Sequence, residues 1–331
     1  LELYPQNSEV YFFFDEIQEI DGWEKFVRRS YDTITKNIFI TGSSAKLLSK
    51  EIATSLRGRT ITFELLTLSF KEYLSFNKIS LSYITSKERA KVISVFSDYF
   101  KIGGFPELFF SSIHFHKQIL KDYVDVMLFR DVIERYELQN TVALDGLMKR
   151  CISSFAKEIS VNKLFNELKS MGLKISKENV YQYIQYFTEA YLVFSLELYS
   201  EKTSKTELRK IYLPDHSFSR LQKYFISENS GRLLENLVFL QLKRLDLDVY
   251  YHKSKKECDF LIKQGLKITK AIQVCYELNE NNRKREYSGL IEACTEHNLK
   301  EGLLLTYDDE DSFEKDGVKI IVKPVWKWLL E

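Results

Sequence analysis

Val10-Tyr11-Phe12-Phe13-Phe14-Asp15-Glu16 decides how the first part of this chain folds: five consecutive β-branched or aromatic residues end in two carboxylates. An apolar run without alternation reads as a strand buried on both faces, the kind found in parallel sheets. The next such run, Asn37-Ile38-Phe39-Ile40-Thr41, stops at Gly42-Ser43-Ser44 and is followed by a helical pattern with Leu47, Leu48 and Ile52. Trp23, Phe26 and Val27 lie between the runs at helical spacing. Together they predict a strand-helix-strand unit with short connections, hence a right-handed parallel crossover. Asp15 and Glu16 then stand at the carboxyl edge of the sheet, where open α/β sheets place ligand chemistry.

Two solvated acids at a strand end are the plainer reading of that pair. The chemical reading is a resemblance to P-loop ATPases, where an Asp so placed sits near Mg2+ and a Glu polarises the attacking water, so that both carboxylates are needed at one edge.

Composition narrows the rest. The chain has 331 residues, too many for one small domain at roughly 150 residues per domain. With 44% hydrophobic residues, 12 Gly and 4 Pro, it reads as an element-rich globular protein. Lys plus Arg number 48 against 47 acids, so any nucleic-acid surface has to be local. Cys151, Cys258, Cys275 and Cys294 are far apart with no CxxC pair, and no signal peptide is legible, which points to a reducing cytoplasm. No apolar run approaches the ~20 residues that cross a bilayer.

Phe13-Phe14-Asp15-Glu16-Ile17, Trp23, then Ile40-Thr41-Gly42-Ser43-Ser44-Ala45-Lys46-Leu47-Leu48 and Ser55-Leu56-Arg57-Gly58-Arg59 resemble, in order and spacing, the Walker B, sensor-1 and arginine segments of AAA-type P-loop ATPases. The resemblance is most specific to a prokaryotic group whose ATPase core precedes domain of unknown function 4143. It implies that Asp15 (on Mg2+) and Glu16 are the Walker B carboxylates and that Ser43 or Ser44 is the sensor. Arg57 or Arg59 would be the charge-stabilising arginine. If that arginine acts across a subunit interface, the complete protein is a homo-oligomer. Phe63 to Leu74 and Gly103-Gly104-Phe105-Pro106-Glu107 also look like the group's segments. From the residues alone, the first is a helix entered at Ser69 and the second a turn.

The P-loop departs from the pattern. GxxxxGK followed by Ser or Thr, whose backbone amides cradle phosphates, occurs nowhere in the sequence, and nine residues precede Val10. The chain as written is read as truncated or partial. ATP and Mg2+ are then cofactors of the complete family protein, bound weakly or not at all by these residues.

Phe115 to Tyr136 is one long helical pattern carrying Arg130 and Asp131, which match the family's "rDi" segment and otherwise read as a solvated or paired couple. His114 and His116 lack nearby ligands and read as surface residues. From Leu147 the pattern becomes three helices (147–157, 160–171, 176–191) and two strands (192–199, 209–213), the order of a winged helix, with Ser160 and Ser176 as N-caps. Its third helix is expected to expose Lys177, Asn179, Tyr183 and Gln185, and its wing to carry Lys202, Lys205, Arg209 and Lys210, residue types that meet phosphates and base edges. Protein docking is the other use of such a unit, and Glu178, Glu189 and Glu207 dilute its positive field.

From Gly231 a helix stripe with Glu235, three strands, a helix and two further strands look like the restriction-endonuclease-like, PD-(D/E)xK fold. Arg232-Leu233-Leu234-Glu235-Asn236, Glu257-Cys258-Asp259-Phe260 and Ile272-Gln273-Val274-Cys275 continue the family resemblance. That likeness implies a metal-binding set of Glu235, Asp259 and Gln273, with Glu257 on the same strand face as Asp259. The lysine of the motif falls on Cys275, a buried structural thiol on the plainer reading. Lys253, Lys255 or Lys256 has taken over its charge, or the site does not cut.

The fold class is therefore α/β: a partial P-loop ATPase core (1–64), a helical extension (65–146), a winged helix (147–226) and a nuclease-like α/β domain (227–331). The leading functional expectation is an AAA-type ATPase family protein that engages DNA or a protein partner through its later domains. A Mg2+-dependent DNA nuclease and a non-catalytic DNA-binding or interaction protein are the alternatives. No membrane partner is expected.

Overall fold

The computed structural model describes residues 10–17, 20–43, 56, 58–79, 86–200, 208–222 and 230–331. The expectations for Ser44, Arg57, Lys202 and Lys205, and for the helical pattern at Leu47, Leu48 and Ile52, lie outside these residues.

The two apolar runs form β1 (Phe12–Phe14) and β2 (Ile38–Ile40), parallel neighbours with Phe12 opposite Ile38 and Phe14 opposite Ile40. Between them runs α1 (Trp23–Thr33). Phe14, Ile38 and Ile40 pack with Ile17, Trp23, Val27 and Leu56 into a small core of their own. The opposite face carries Phe13 and Phe39, stacked 5.0 Å apart and 73% and 53% exposed. Burial on both faces is thus met on one face only. A single crossover lays its helix on one side, and among the described residues nothing covers the other.

A helical layer follows: α2 (Phe70–Phe76), α3 (Ser86–Ile102), α4 (Pro106–Phe110) and α5 (Ile113–Val126). Ser69 starts α2 as expected, closing a capping box with Glu72. The long helix read from Phe115 does not stay α-helical: after Val126 it widens into a π-helical stretch, Met127–Glu134. Such stretches are rare and cluster at functional sites.

The next unit is α6 (Thr141–Ser153), β3 (Glu158–Ser160), α7 (Val161–Ser170), α8 (Lys177–Glu189), β4 (Phe194–Glu197) and β5 (Leu208–Tyr212). Its antiparallel sheet has the order β3-β5-β4. Ser160 and Ser176 accept the N–H groups of Lys163 and Asn179, so both N-caps stand where the sequence puts them. The first helix begins earlier than Leu147 because Asn140 caps it by accepting from the Ala143 N–H.

After a 3₁₀ turn (His216–Leu221) come α9 (Ser230–Arg244), β6 (Asp248–Lys253), β7 (Glu257–Gln264), β8 (Lys267–Val274), α10 (Arg283–Glu296), β9 (Glu301–Thr306), β10 (Asp311–Lys315), β11 (Val318–Pro324) and α11 (Val325–Trp328). The six strands form one mixed sheet in the order β10-β11-β9-β8-β7-β6. Strand alternation sends Phe260, Ile262 and Ile272 into a core shared with α9, and Leu261 and Ala271 into a second core under α10.

The shared core runs without a break from Phe70 to Leu329. The two sheets also meet directly, since Leu198 bridges to Tyr251 on β6 and the Tyr199 N–H donates to the Tyr251 carbonyl at 2.9 Å. No helix among the described residues is long and apolar enough to cross a membrane. All four cysteines are free and buried.

Candidate functional site

The first site is the carboxyl edge of β1 and β2. The Thr41 N–H donates to the Phe14 carbonyl at 2.8 Å, tying the strand ends together. The Thr41 hydroxyl donates to the Asp15 carboxylate and accepts from the Glu16 N–H at 3.2 Å. Glu16 holds that position with φ 47, a left-handed conformation uncommon outside glycine. Ser43 Oγ donates to Asp131 Oδ1 at 3.2 Å, which brings the π-helical stretch to the same edge.

Asp131 is partly buried and lies 3.8 Å from Arg135 Nη2. Burial raises its pKa, Arg135 and the Ser43 hydrogen bond oppose that, and the Glu16 carboxylate adds to it. Arg135 Nη1 is buried with no hydrogen-bond partner, a guanidinium donor short of an acceptor. Asp15, Glu16, Thr41, Ser43 and Asp131 are hard oxygen groups gathered at one strand edge, the donor set Mg2+ prefers. They fit a magnesium ion.

Arg59 is not part of this edge. It pairs with Asp32 and lies 5.5 Å over the Tyr31 ring, both in the last turn of α1. In a parallel crossover the helix runs back against the strands, so 11 residues of α1, about 16 Å, carry that pair towards the opposite end of the sheet.

On α8, Lys177 and Gln185 are exposed as expected. Asn179 is half-buried and tied into the Ser176 capping box. Tyr183 is buried at 6% exposure and packs in the core, so its expected exposure is corrected. In the wing, Arg209 reaches Ser195 Oγ at 3.5 Å and lies 5.5 Å over the Tyr181 ring. Lys210 is corrected too: it is 1% exposed and meets carboxylates, with no path to a phosphate on the surface. His116 is buried against the Ser111 carbonyl, contrary to its reading as a surface residue, while His114 is exposed.

The second site lies under an open cavity of about 1100 Å³ that Glu235, Glu257, Asp259, Gln273 and Glu286 help to line. Glu257 and Asp259, expected on one strand face, converge with Glu235 of α9, and Lys210 of β5 is between them. Its Nζ is 2.9 Å from Glu235 Oε1, 2.8 Å from Glu257 Oε1 and 2.9 Å from Asp259 Oδ1. Glu235 also accepts from the Tyr212 hydroxyl at 2.7 Å. Asp259 Oδ2 accepts from the Val274 N–H at 3.0 Å, and its own N–H donates to Gln273 Oε1 at 3.3 Å. Gln273 Nε2 turns away to Glu286 at 2.8 Å.

Burial pulls the pKa of Lys210 down, but Asp259, Glu235 and Glu257 outweigh it and hold it well above the ordinary value. One ammonium cannot neutralise three carboxylates. Burial, with Asp259 beside it, accordingly pushes Glu235 up to about 7, against the pull of Lys210. These residues do not fit a divalent metal, because the ammonium fills the point that all three carboxylates share. Lys253 is drawn off to Glu158 at 2.7 Å. Cys275 is buried and its thiol pushed up to about 12 by that burial, in line with a structural role.

Neighbours of Glu235 serve the joint between the units. Arg232 donates to the Ser153 carbonyl at 3.0 Å and to the Phe155 carbonyl, and stacks 4.2 Å over the Phe155 ring. Asn236 accepts from the Leu213 N–H at 2.8 Å and donates to the Leu213 carbonyl at 3.1 Å. The Gly103-Gly104 turn docks in a similar way, its Gly104 N–H donating to Asp215 at 2.9 Å. Thr41, Asp131 and Lys210 are the site residues that sequence reasoning missed or misassigned.

Comparison with known proteins supports an AAA-like domain at the N-terminal end of the chain. A model described as an AAA domain matches residues 1–74, and one described as a domain of unknown function, DUF8612, matches residues 93–222. The matched domain of unknown function is thus a different one from 4143. The uncharacterized protein MJ1544 of Methanocaldococcus jannaschii is 44% identical over 332 aligned residues, which cover 96% of this chain and 74% of that protein. An uncharacterized protein of Haemophilus influenzae is 30% identical, covering 99% of this chain and 79% of its own length. With identity of that degree over nearly its whole length, the chain belongs to the family of the Methanocaldococcus protein, and its N-terminal segment is AAA-like.

Proposed function

We propose that the chain is the working part of an AAA-type ATPase in which the β1–β2 edge handles the reacting end of a magnesium-bound nucleotide. The later units then pass the result to DNA or to a protein partner. The observation that carries the reading is the convergence of Asp15, Glu16, Thr41, Ser43 and Asp131 at one strand edge, with a partnerless donor of Arg135 beside Asp131.

Asp15 would hold the metal, which when bound neutralises charge on the transferred phosphate. Thr41 fixes the Asp15 carboxylate by hydrogen bonding. Glu16 has its backbone fixed by the same hydroxyl and is the candidate to orient a water. Asp131 and Ser43 couple the edge to the helical layer, a route by which the nucleotide state reaches the rest of the molecule. We read the helix-strand-helix-helix-strand-strand unit as a winged helix and the six-stranded unit as nuclease-like. Exposed Lys177 and Gln185, with Arg209, support a surface for DNA on the former.

The test is ATP hydrolysis by the complete gene product. Glu16→Gln is expected to lower kcat by ~100-fold or more with the fold intact. Hydrolysis undiminished in Glu16→Gln, or absent from the wild type, would remove the reading.

A further inference from the structure

We infer that Lys210 is an internal cation standing where a nuclease of this shape would hold its metal, so that the acidic centre is closed to divalent ions and does not cut. The inference uses the geometry of the six-stranded unit and is independent of the ATPase reading.

Three carboxylates on two different elements, Glu235 from α9 and Glu257 and Asp259 from β7, aim one oxygen each at a common point. Oxygens so arranged are what a divalent cation needs. Here the point is filled by a side chain that is 2% exposed and comes from outside the six-stranded unit. A lysine working on a metal-bound water would stand beside the cation and face the cavity. Lys210 instead makes nearly equal contacts with all three acids and backs onto the Tyr251 ring at 5.7 Å. Its strand is held in place from the other side: Tyr212, two residues along and on the same face, donates to Glu235, and Asn236 clamps the next residue, Leu213. The strand that carries the ammonium is thereby fixed in place against the acids. Gln273, which would complete a metal's ligands, spends its oxygen on the Asp259 N–H and its amide on Glu286.

Mn2+ binding is measured on the full chain by the loss of the free-ion electron spin resonance signal, for the wild type, Asp259→Asn, Lys210→Ala and Lys210→Ala/Asp259→Asn, with cleavage of plasmid and linear DNA scored in parallel. The expected result is no Asp259-dependent Mn2+ site in the wild type and no cleavage. Lys210→Ala should gain one site per chain, lost again in the double variant. Asp259-dependent binding by the wild type would overturn the inference, as would a folded Lys210→Ala that gains no site. Cleavage by the wild type that disappears in Lys210→Ala would overturn it as well, and make Lys210 a catalytic group. If Lys210→Ala does not fold, the wild-type and Asp259→Asn pair still decides the question.

Discussion

A Cβ placed on Gly289 would lie 2.1 Å from the carbonyl oxygen of Glu257, so the middle of α10 rests directly on the backbone of the strand that carries two of the three acids. Backbone cannot move aside as a flexible side chain would. Gly289→Ala is expected to lift α10 and cost about 1–3 kcal/mol in denaturant unfolding, more than alanine's helical preference returns. Gly231→Ala, with nothing among the described residues within 4 Å of its new methyl, is the control and should be neutral or slightly stabilising.

Removing the charge of Lys210 without removing its bulk leaves three acids facing one another. Lys210→Met should lose about 3–5 kcal/mol, the range for breaking a buried ion pair from one side. Adding Glu235→Gln and Asp259→Asn to it should recover part of that loss. A Lys210→Met protein as stable as the wild type would show that the cluster carries no net burden of charge.

Glu235 gives the molecule a pH dependence with a definite sign. Its carboxyl rises from 4.5 to about 7 on folding, so between those values the folded state keeps a proton that the unfolded state has released. Stability therefore falls as pH rises through that window. Thermal unfolding followed from pH 5 to pH 8 should show the decline in the wild type and a flatter profile in Glu235→Gln. The Gln variant keeps an acceptor for the Tyr212 hydroxyl and cannot ionise.

For the proposed DNA surface, Lys177→Ala and Arg209→Ala should each weaken binding across sequences and reduce the salt slope by about one. Tyr183→Phe should leave both unchanged, because its ring is in the core. Fluorescence anisotropy at several salt concentrations separates these outcomes.

What could be read in advance depended on how local its cause was. The β1-α1-β2 unit was legible because runs such as Ile38-Phe39-Ile40 carry their own periodicity, and the Ser160 and Ser176 caps because a cap is a contact within four residues. Strand β10 was missed: Asp311-Ser312-Phe313-Glu314-Lys315 has one apolar residue and is made a strand by pairing with β11 at the sheet edge. Asp131 was read as a solvated or paired charge because no short-range pattern announces a π-helical stretch, still less a contact with Ser43, 88 residues away.

Lys210 shows the limit most plainly. A lysine beside an arginine in a wing reads as surface charge, and its partners at 235, 257 and 259 lie in another unit. The available clue was alternation: Lys210 shares a strand face with Tyr212, and a strand that buries a tyrosine also turns inward whatever stands two places before it. Glu257 and Asp259 share a strand face by alternation and were grouped with Glu235 by the family likeness, and all three acids meet at Lys210. Their counter-ion was sought among the nearest lysines in sequence instead of in space.

The unbroken core and the ion cluster also bear on how this architecture can be inherited. A cut between Gln222 and Ser230 would leave a lysine without acids in one piece and three acids without a lysine in the other, and would open the shared packing of α9. Neither piece can be exchanged for a homologous one by recombination unless the incoming strand brings a cation to the same point. The small three-stranded sheet and the large six-stranded one are thus expected to be inherited together, whatever the number of domains their topology suggests.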